Sequence, residues 1–264
     1  MNNKWIIVKL GGAAITNKNK DFSFNGIVVD RVMEEIKNSN SKVILVHGAG
    51  SYAHNIAKHY RLTDKTVTPN ALSISLIRTS LETLHKQILD SANDFELPVF
   101  SLPISSILSY HQNDYSFYIN SLKAVMNKNM IPVLYGDVIT HDKIDFQVIS
   151  GDFIIQLLCD VLGPSSISNI IFGTNVDGVF NKDPIHLDAK LIDTININEF
   201  DTILDQVGGS TSTDVTGGMR GKLTEINKIV KKGISVSIVN ILKPNRLYRY
   251  LIGDDVIQTL IYSS

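Results

Sequence analysis

Short runs of apolar residues punctuate the chain, and most are continuous rather than alternating. They fall at Trp5–Val8, Val43–Val46, Val99–Leu102, Ile131–Tyr135, Phe146–Ile149, Asn169–Phe172, Ile234–Val239 and Val256–Tyr262. Most are rich in Val and Ile and bounded by Gly, Pro or Asp, which predicts strands buried on both faces. Between them, helical spacing of apolar positions predicts helices over Ile27–Ile36, Leu72–Leu89, Ser121–Met130, Asp152–Leu162, Lys222–Lys231 and Asn245–Leu251. In the second of these, Leu72, Ile74, Ile77, Leu81, Leu84 and Ile88 share a face. Strands alternating with helices predict an α/β fold with a mostly parallel sheet. Asp152 is placed to cap the helix after Gly151, and Gly221 precedes the helix opening at Lys222. The stretch Ile107–Ile119 differs, with Tyr110, Tyr115, Phe117 and Tyr118 around Gln112-Asn113-Asp114, and predicts a hairpin turning at Asn113-Asp114. A division between lobes is expected after Val138, near His141-Asp142-Lys143.

Glycine marks several of the corners. The segments are Lys9-Leu-Gly-Gly-Ala-Ala-Ile-Thr16, His47-Gly-Ala-Gly-Ser-Tyr-Ala-His54, Ser150-Gly-Asp152 and Asp214-Val-Thr-Gly-Gly-Met-Arg-Gly-Lys222. Glycine lets a backbone come close to a phosphate and aim its N–H groups at it. Lysines in two of the corners suggest a site for more than one phosphate group. Lys9 ends the first strand and Gly48 follows the second, which puts both corners at the carboxyl edge, where open parallel sheets bind ligands.

Composition narrows the class. With 264 residues, 44% hydrophobic and 19% charged, the chain can bury a sizeable core and is not a disordered tail. A net charge of −1 gives no global basic field for nucleic acid. The single cysteine, Cys159, sits in the apolar run Ile154–Leu162 and reads as a packing residue of a reducing compartment. The apolar run before Lys9 is too short for a signal peptide, and no stretch approaches the roughly 20 apolar residues of a membrane span. A soluble cytoplasmic protein is expected.

Rival phosphate motifs fail. Gly48-Ala-Gly50-Ser-Tyr-Ala53 matches G-x-G-x-x-A, but no acidic residue ends the next strand, near Val99, and another strand and glycine corner precede the motif. Neither a Walker P-loop nor a hydrolase elbow G-x-S-x-G occurs, and no His/Cys/Asp cluster has zinc spacing. What remains is a non-Walker phosphate site with Lys9, Lys18 and Lys222 as cations and Asp152 and Asp177 as carboxylates to orient lysines or hold Mg²⁺. Plainer readings stand beside these: Lys9 as a solvated strand end, Lys18 as part of a polar loop, His54 as a helix-start residue, Asp177 as half of an Asp-Gly turn, Lys222 as a first-turn lysine, and the Ile74–Leu84 stripe as core. His47 reads as structural, and His59, His85, His111, His141 and His186 as surface residues.

Taken together, the chain resembles the amino acid kinase superfamily, and within it the isopentenyl phosphate kinases and the related fosfomycin kinases. The matching stretches, in family order over almost the whole length, are Lys9–Thr16 with Lys18, Val46–His54, Pro132–Val138, Val148–Asp152, Thr174–Val179 and Thr213–Met219 with Lys222. The resemblance implies a three-layer αβα sandwich spanning residues 1–264 as one domain. An N-terminal lobe of about 1–140 would bind the phosphoryl acceptor, and a C-terminal lobe of about 141–264 would bind ATP. It implies ATP- and Mg²⁺-dependent phosphorylation of isopentenyl phosphate to isopentenyl diphosphate by a homodimer. Lys9 and Lys18 would contact the transferring phosphoryl group, and Asp152 would orient the lysines. Gly11, Gly12, Ala13 and Gly50 would meet the ATP phosphates, while Thr174, Asp177, Gly178, Phe180, Gly218 and Lys222 would line the nucleotide site. Ala49, His54 and Gly151 would contact the acceptor's phosphate, with Ile74, Ile77, Leu81 and Ile149 as the slot for its tail. Ala13, Ala53 and Asn175 depart from the family's usual Ser, Gly and Asp. A fosfomycin-type or other small phosphate kinase, and a non-catalytic nucleotide sensor, are the alternatives.

Overall fold

The computed structural model describes residues 4–17, 19–60, 70–207 and 218–263. Its strands are β1 (Trp5–Leu10), β2 (Val43–His47), β3 (Val99–Ser101), β4 (Leu108–His111), β5 (Asp114–Phe117), β6 (Ile131–Tyr135), β7 (Asp137–His141), β8 (Asp145–Ile149), β9 (Ile167–Thr174), β10 (Val179–Phe180), β11 (Leu191–Ile192), β12 (Thr194–Asn196), β13 (Val236–Asn240) and β14 (Gln258–Tyr262). The α-helices are α1 (Gly12–Ile15), α2 (Gly26–Ser39), α3 (His54–His59), α4 (Ala71–Asp94), α5 (Ile104–Ile107), α6 (Ile119–Asn127), α7 (Gly151–Ser166), α8 (Phe200–Val207), α9 (Gly218–Val230) and α10 (Arg246–Leu251).

One eight-stranded sheet runs β12-β14-β13-β9-β1-β2-β6-β3. The six strands from β13 to β3 are mutually parallel, and β14 joins β13 antiparallel. The continuous apolar runs follow from the layering, because alternate residues of each central strand enter different cores. On β2, Ile44 and Val46 pack with α6, α7 and α9, while Val43 and Leu45 pack with α2, α4 and α10. The expected α/β fold is present, with helices on both faces of a mostly parallel sheet.

Four details differ from expectation. The Phe146–Ile149 run forms β8 of a separate four-stranded sheet, β5-β4-β7-β8, and Phe146 and Val148 are exposed rather than buried on both faces. The β4–β5 hairpin turns at Gln112-Asn113, both with positive φ, and Asp114 already pairs with His111. That is the backbone a tight two-residue turn requires. Ser150, not Asp152, caps α7: its side chain accepts the Phe153 N–H at 3.1 Å. Lys222 lies within the second turn of α9, which starts at Gly218. Residues 142–144 form the turn between β7 and β8, and the large sheet runs across both halves of the chain.

Candidate active site

Strands β2, β1 and β9 are adjacent and parallel, so their carboxyl ends meet. Gly11 N–H donates to the Gly173 carbonyl at 2.8 Å, and Gly48 N–H donates to the Leu10 carbonyl at 2.9 Å. A Cβ on Gly11 would sit 2.5 Å from the Gly173 oxygen, and one on Gly12 would sit 2.5 Å from the Gly50 nitrogen. Glycine is therefore required here by backbone packing between corners, whatever else the corners bind. Thr16 fastens the two early corners: its hydroxyl donates to the Gly12 carbonyl at 2.7 Å and accepts the Ser51 N–H at 3.0 Å.

Lys9 continues the β1 row of Trp5 and Ile7 toward the α7 face. It is only 7% exposed, and its ammonium pairs with Asp152. The same ammonium lies 5.2 Å from the centre of the Phe172 ring, and the Lys222 ammonium lies 5.9 Å from it. A cation over an aromatic face is favoured by the ring quadrupole. Because Ser150 does the capping, the Asp152 carboxylate is available to Lys9. Burial alone would raise the Asp152 pKa, but the Lys9 and Lys222 charges outweigh it and hold the group below its ordinary range. The structure thus brings Lys9, Asp152, Lys222 and two glycine corners to one point.

The Asp177 carboxylate accepts from Asn240 Nδ2 at 2.9 Å and pairs with Arg246. Burial would raise its pKa, and these two hydrogen bonds with the Arg246 charge lower it overall. Gly178, at φ +154°, has no room for a side chain, since a Cβ would meet the Thr259 hydroxyl at 2.3 Å. Asp177 is therefore tied to Asn240 and Arg246 rather than presented as a bare ligand. Thr174 is buried at the end of β9, and Phe180 is half-buried on β10.

On the other side of the corners, Ile74, Ile77 and Leu81 of α4 form a small buried cluster with Ala53, Ala57, Tyr135 and Val138, and Ala49 packs against it. The Ala53 methyl lies among these side chains. Ile149 belongs to the main core and sits opposite Asp137 in the β7–β8 ladder. Gly136 closes against the Gly151 turn, where a Cβ would lie 3.1 Å from the Gly151 nitrogen.

Beneath Gly48 lies a pair of buried histidines. His47 Nε2 is 3.0 Å from His85 Nδ1, and His85 Nε2 is 2.7 Å from the Ser101 hydroxyl. His85 thus faces the core, contrary to the surface expectation, because it falls on the inward face of α4 and both ring nitrogens find partners. His141 is also half-buried, stacked on Tyr110 with centroids 4.2 Å apart. Burial, then the neighbouring His85, pushes the His47 pKa down to about 3, against an opposing hydrogen bond with Gly48. Burial pushes His85 down to about 4. Both pKa values lie below the ordinary 6.5, so the unfolded chain binds more protons, and stability present above pH 6.5 is lost as pH falls toward 4. Each histidine should contribute a slope of up to about 1.4 kcal/mol per pH unit. Urea midpoints between pH 7.5 and 4.5 check this, with about half the slope expected in His85→Gln; a flat profile would mean neither ring is held neutral.

Cys159 is buried, and burial pushes its thiol up to about 12, as a packing residue requires. Lys18 and Gly217 lie outside the described residues, as does the side chain of His54. Among the described residues, no group of three or more His, Cys, Asp or Glu side chains is arranged to hold a metal ion, and no helix is long and apolar enough to cross a membrane. Sequence reasoning missed Thr16 as a fastener, Ser150 as a cap, and Asn240 and Arg246 as partners of Asp177. Asn240 had a signal: like Lys9, it is a polar residue directly after an apolar run, at the carboxyl edge of the sheet. Arg246 had none.

Two lysines, one buried and one half-buried, and one carboxylate meet over glycine corners at the carboxyl edge of an α/β sheet, and residues 4–240 match the model of the amino acid kinase family. The chain belongs to that family. It is similar to the isopentenyl phosphate kinase of Methanothermobacter thermautotrophicus, at 33% identity over 97% of this chain and 98% of the relative. The isopentenyl phosphate kinase of Methanocaldococcus jannaschii is 31% identical over 94% of this chain and 95% of that one. A crystal structure of an isopentenyl phosphate kinase superposes with a TM-score of 0.81 at 28% identity, covering 97% of this chain and all of that one.

Proposed function

We propose that this protein transfers the γ-phosphoryl group of ATP to isopentenyl phosphate, giving isopentenyl diphosphate and ADP. The observation that carries this reading is the buried Lys9–Asp152 pair beside Lys222 at the joined glycine corners, in a chain similar over nearly its full length to isopentenyl phosphate kinases. In the reaction an oxygen of the acceptor's phosphate forms a bond to the γ-phosphorus as the bond to the β-bridging oxygen breaks. The acceptor is already an anionic nucleophile, so no general base is needed; the barrier is repulsion between polyanions. Lys9, held by Asp152, supplies positive charge at the transferring group, and Lys18 joins it. The N–H groups of Gly12 and Ala13, which open α1 and have no partner within the helix, and that of Gly50 face the ATP phosphates, while the Gly11 N–H is already given to Gly173 and Gly11 serves to turn the chain. Ala49, His54 and Gly151 hold the acceptor's phosphate, and the cluster around Ile74, Ile77 and Leu81, with Ile149, takes the tail. Thr174, Gly178, Phe180, Gly218 and Lys222 line the nucleotide, and Asp177 shapes that loop through Asn240 and Arg246. Asp152 and Asp177 are each engaged by a cationic partner, so neither fits as a ligand of a protein-held Mg²⁺; the ion would arrive as the counter-ion of ATP. The half up to about residue 140 would mainly hold the acceptor and the remainder the nucleotide, in a cytoplasmic homodimer.

The test is ADP release with ATP, Mg²⁺ and a panel of isopentenyl phosphate, dimethylallyl phosphate, fosfomycin, acetylglutamate and UMP. Turnover is expected with the isoprenoid phosphates; its absence sinks the reading, and turnover with fosfomycin alone would replace it. Lys18→Met should lower kcat by about tenfold or more with little change in ATP affinity. His54→Ala should mainly raise the KM for the acceptor; an effect confined to ATP would reverse its assignment.

A further inference from the structure

The Asp177 loop is held at two points, Asn240 and Arg246, and both belong to the segment that runs from the end of β13 into α10. That segment is in turn gripped by α2. Arg31 donates to the Ile241 carbonyl at 2.6 Å. Four residues on, Glu35 is 4% exposed, and its two carboxylate oxygens each accept a backbone N–H, from Asn245 and Tyr248, at 2.9 Å. Arg31 Nε stands 3.3 Å from Glu35, so the two grips are electrostatically joined. A carboxylate buried to this depth persists only when its oxygens are satisfied. Here the partners are the backbone amides that set where α10 begins. Asn245 has φ +61°, a conformation that needs such support, and Arg246 follows it directly. Between the grips and the loop every link is a short contact. The Ile241 N–H donates to the Thr174 carbonyl at 3.0 Å, Asn240 reaches Asp177, and Arg246 reaches the same carboxylate.

We infer that Arg31 and Glu35 are positioning residues for the nucleotide loop: by clamping residues 241–248 to α2, they hold Asn240 and Arg246 where these fix Asp177. Neither Arg31 nor Glu35 is among the residues proposed to hold either substrate. Its link to ATP rests on the function proposed above; its link to the loop does not.

The experiment therefore has two readouts on the full chain. Glu35→Gln removes one of two acceptor oxygens, and Arg31→Met removes the grip on Ile241 while keeping the apolar stem; Arg31→Lys keeps a donor. Loss of one such hydrogen bond should raise the ATP KM about fivefold, with kcat and the isopentenyl phosphate KM within about twofold of the parent. Hydrogen exchange over residues 174–180 should quicken, at the Val179 amide above all, and Arg31→Lys should restore slow exchange. A purely structural role would instead lower thermal stability while leaving exchange at 174–180 and the ratio of the two KM values unchanged, and that result overturns the clamp. Should Glu35→Gln fail to fold, Arg31→Met, whose side chain is partly exposed, decides the matter alone. If the parent turns over no isoprenoid phosphate, the function falls, but the exchange measurement still tests the clamp.

Discussion

Lys9→Met should lower kcat by about 10²- to 10³-fold, the usual cost of removing one preorganised charge from a transition state. Met matches the lysine stem in length, so packing against Phe172 and the Gly151 turn is kept and the change is confined to the charge. Little of Lys9 meets water: it is 7% exposed. Charge there acts in low dielectric and needs no reorganisation during the reaction. The loss should appear in kcat more than in either KM, because repulsion grows as the two phosphates approach. A second signature follows from the pair. Without Lys9, burial dominates the Asp152 carboxylate again, although Lys222 still opposes it, so its pKa should rise relative to the parent. Steady-state ADP release measures the first effect and carboxyl NMR titration the second. A kcat reduced by less than about threefold, against the decades expected from an oxyanion-type contact, would remove Lys9 from the mechanism and leave the pair as a packing feature.

The sheet was legible because its central strands are buried on both faces. β6 matches its apolar run, Ile131–Tyr135, end to end, and the β1, β2, β9 and β13 runs locate their strands to within a residue or two. Outside the central strands the signal was uneven: β3, β8 and β14 each fall on an apolar run, but other strands gave none. β7 follows β6 after Gly136 with no turn cluster to separate them, and β12 carries a single buried residue, Ile195. The site divides in the same way. Lys9 and Asp152 were readable because each stands within two residues of a glycine in a corner that follows an apolar run. Thr16, Asn240 and Arg246 act on residues at least four and up to 69 positions away, through contacts that only the fold creates. His85 illustrates the converse. Its helical position among Leu81, Leu84 and Ile88 already placed it inward, but a polar side chain is a poor guide to burial when its partner, His47, is 38 residues distant.

Asp152→Asn tests the pair from the other side, and its outcome should separate orientation from charge. Removing the carboxylate leaves the buried Lys9 ammonium without its counter-charge. Breaking a fully buried pair costs about 3 to 5 kcal/mol; with Asp152 at 22% side-chain exposure the lower range, about 2 to 3, is expected. The pH dependence fixes the sign. The Asp152 pKa is lowered on folding from an ordinary 3.8, so its stabilisation is present above that value and is lost as pH falls through the depressed one. Parent and Asp152→Asn should therefore differ by a constant amount at neutral pH and converge in acid, below about pH 4. Activity should fall by about 10²-fold, since Lys9 keeps its charge but loses the group that aims it. The double variant Lys9→Met with Asp152→Asn decides the cause. With neither charge of the pair left, it should recover stability relative to Asp152→Asn alone, because replacing both members of a buried pair is far milder than removing one. It should recover no activity. A double variant as unstable as the sum of the two single changes would mean that Lys9 and Asp152 stabilise the fold independently, and that the carboxylate does not hold the lysine in place.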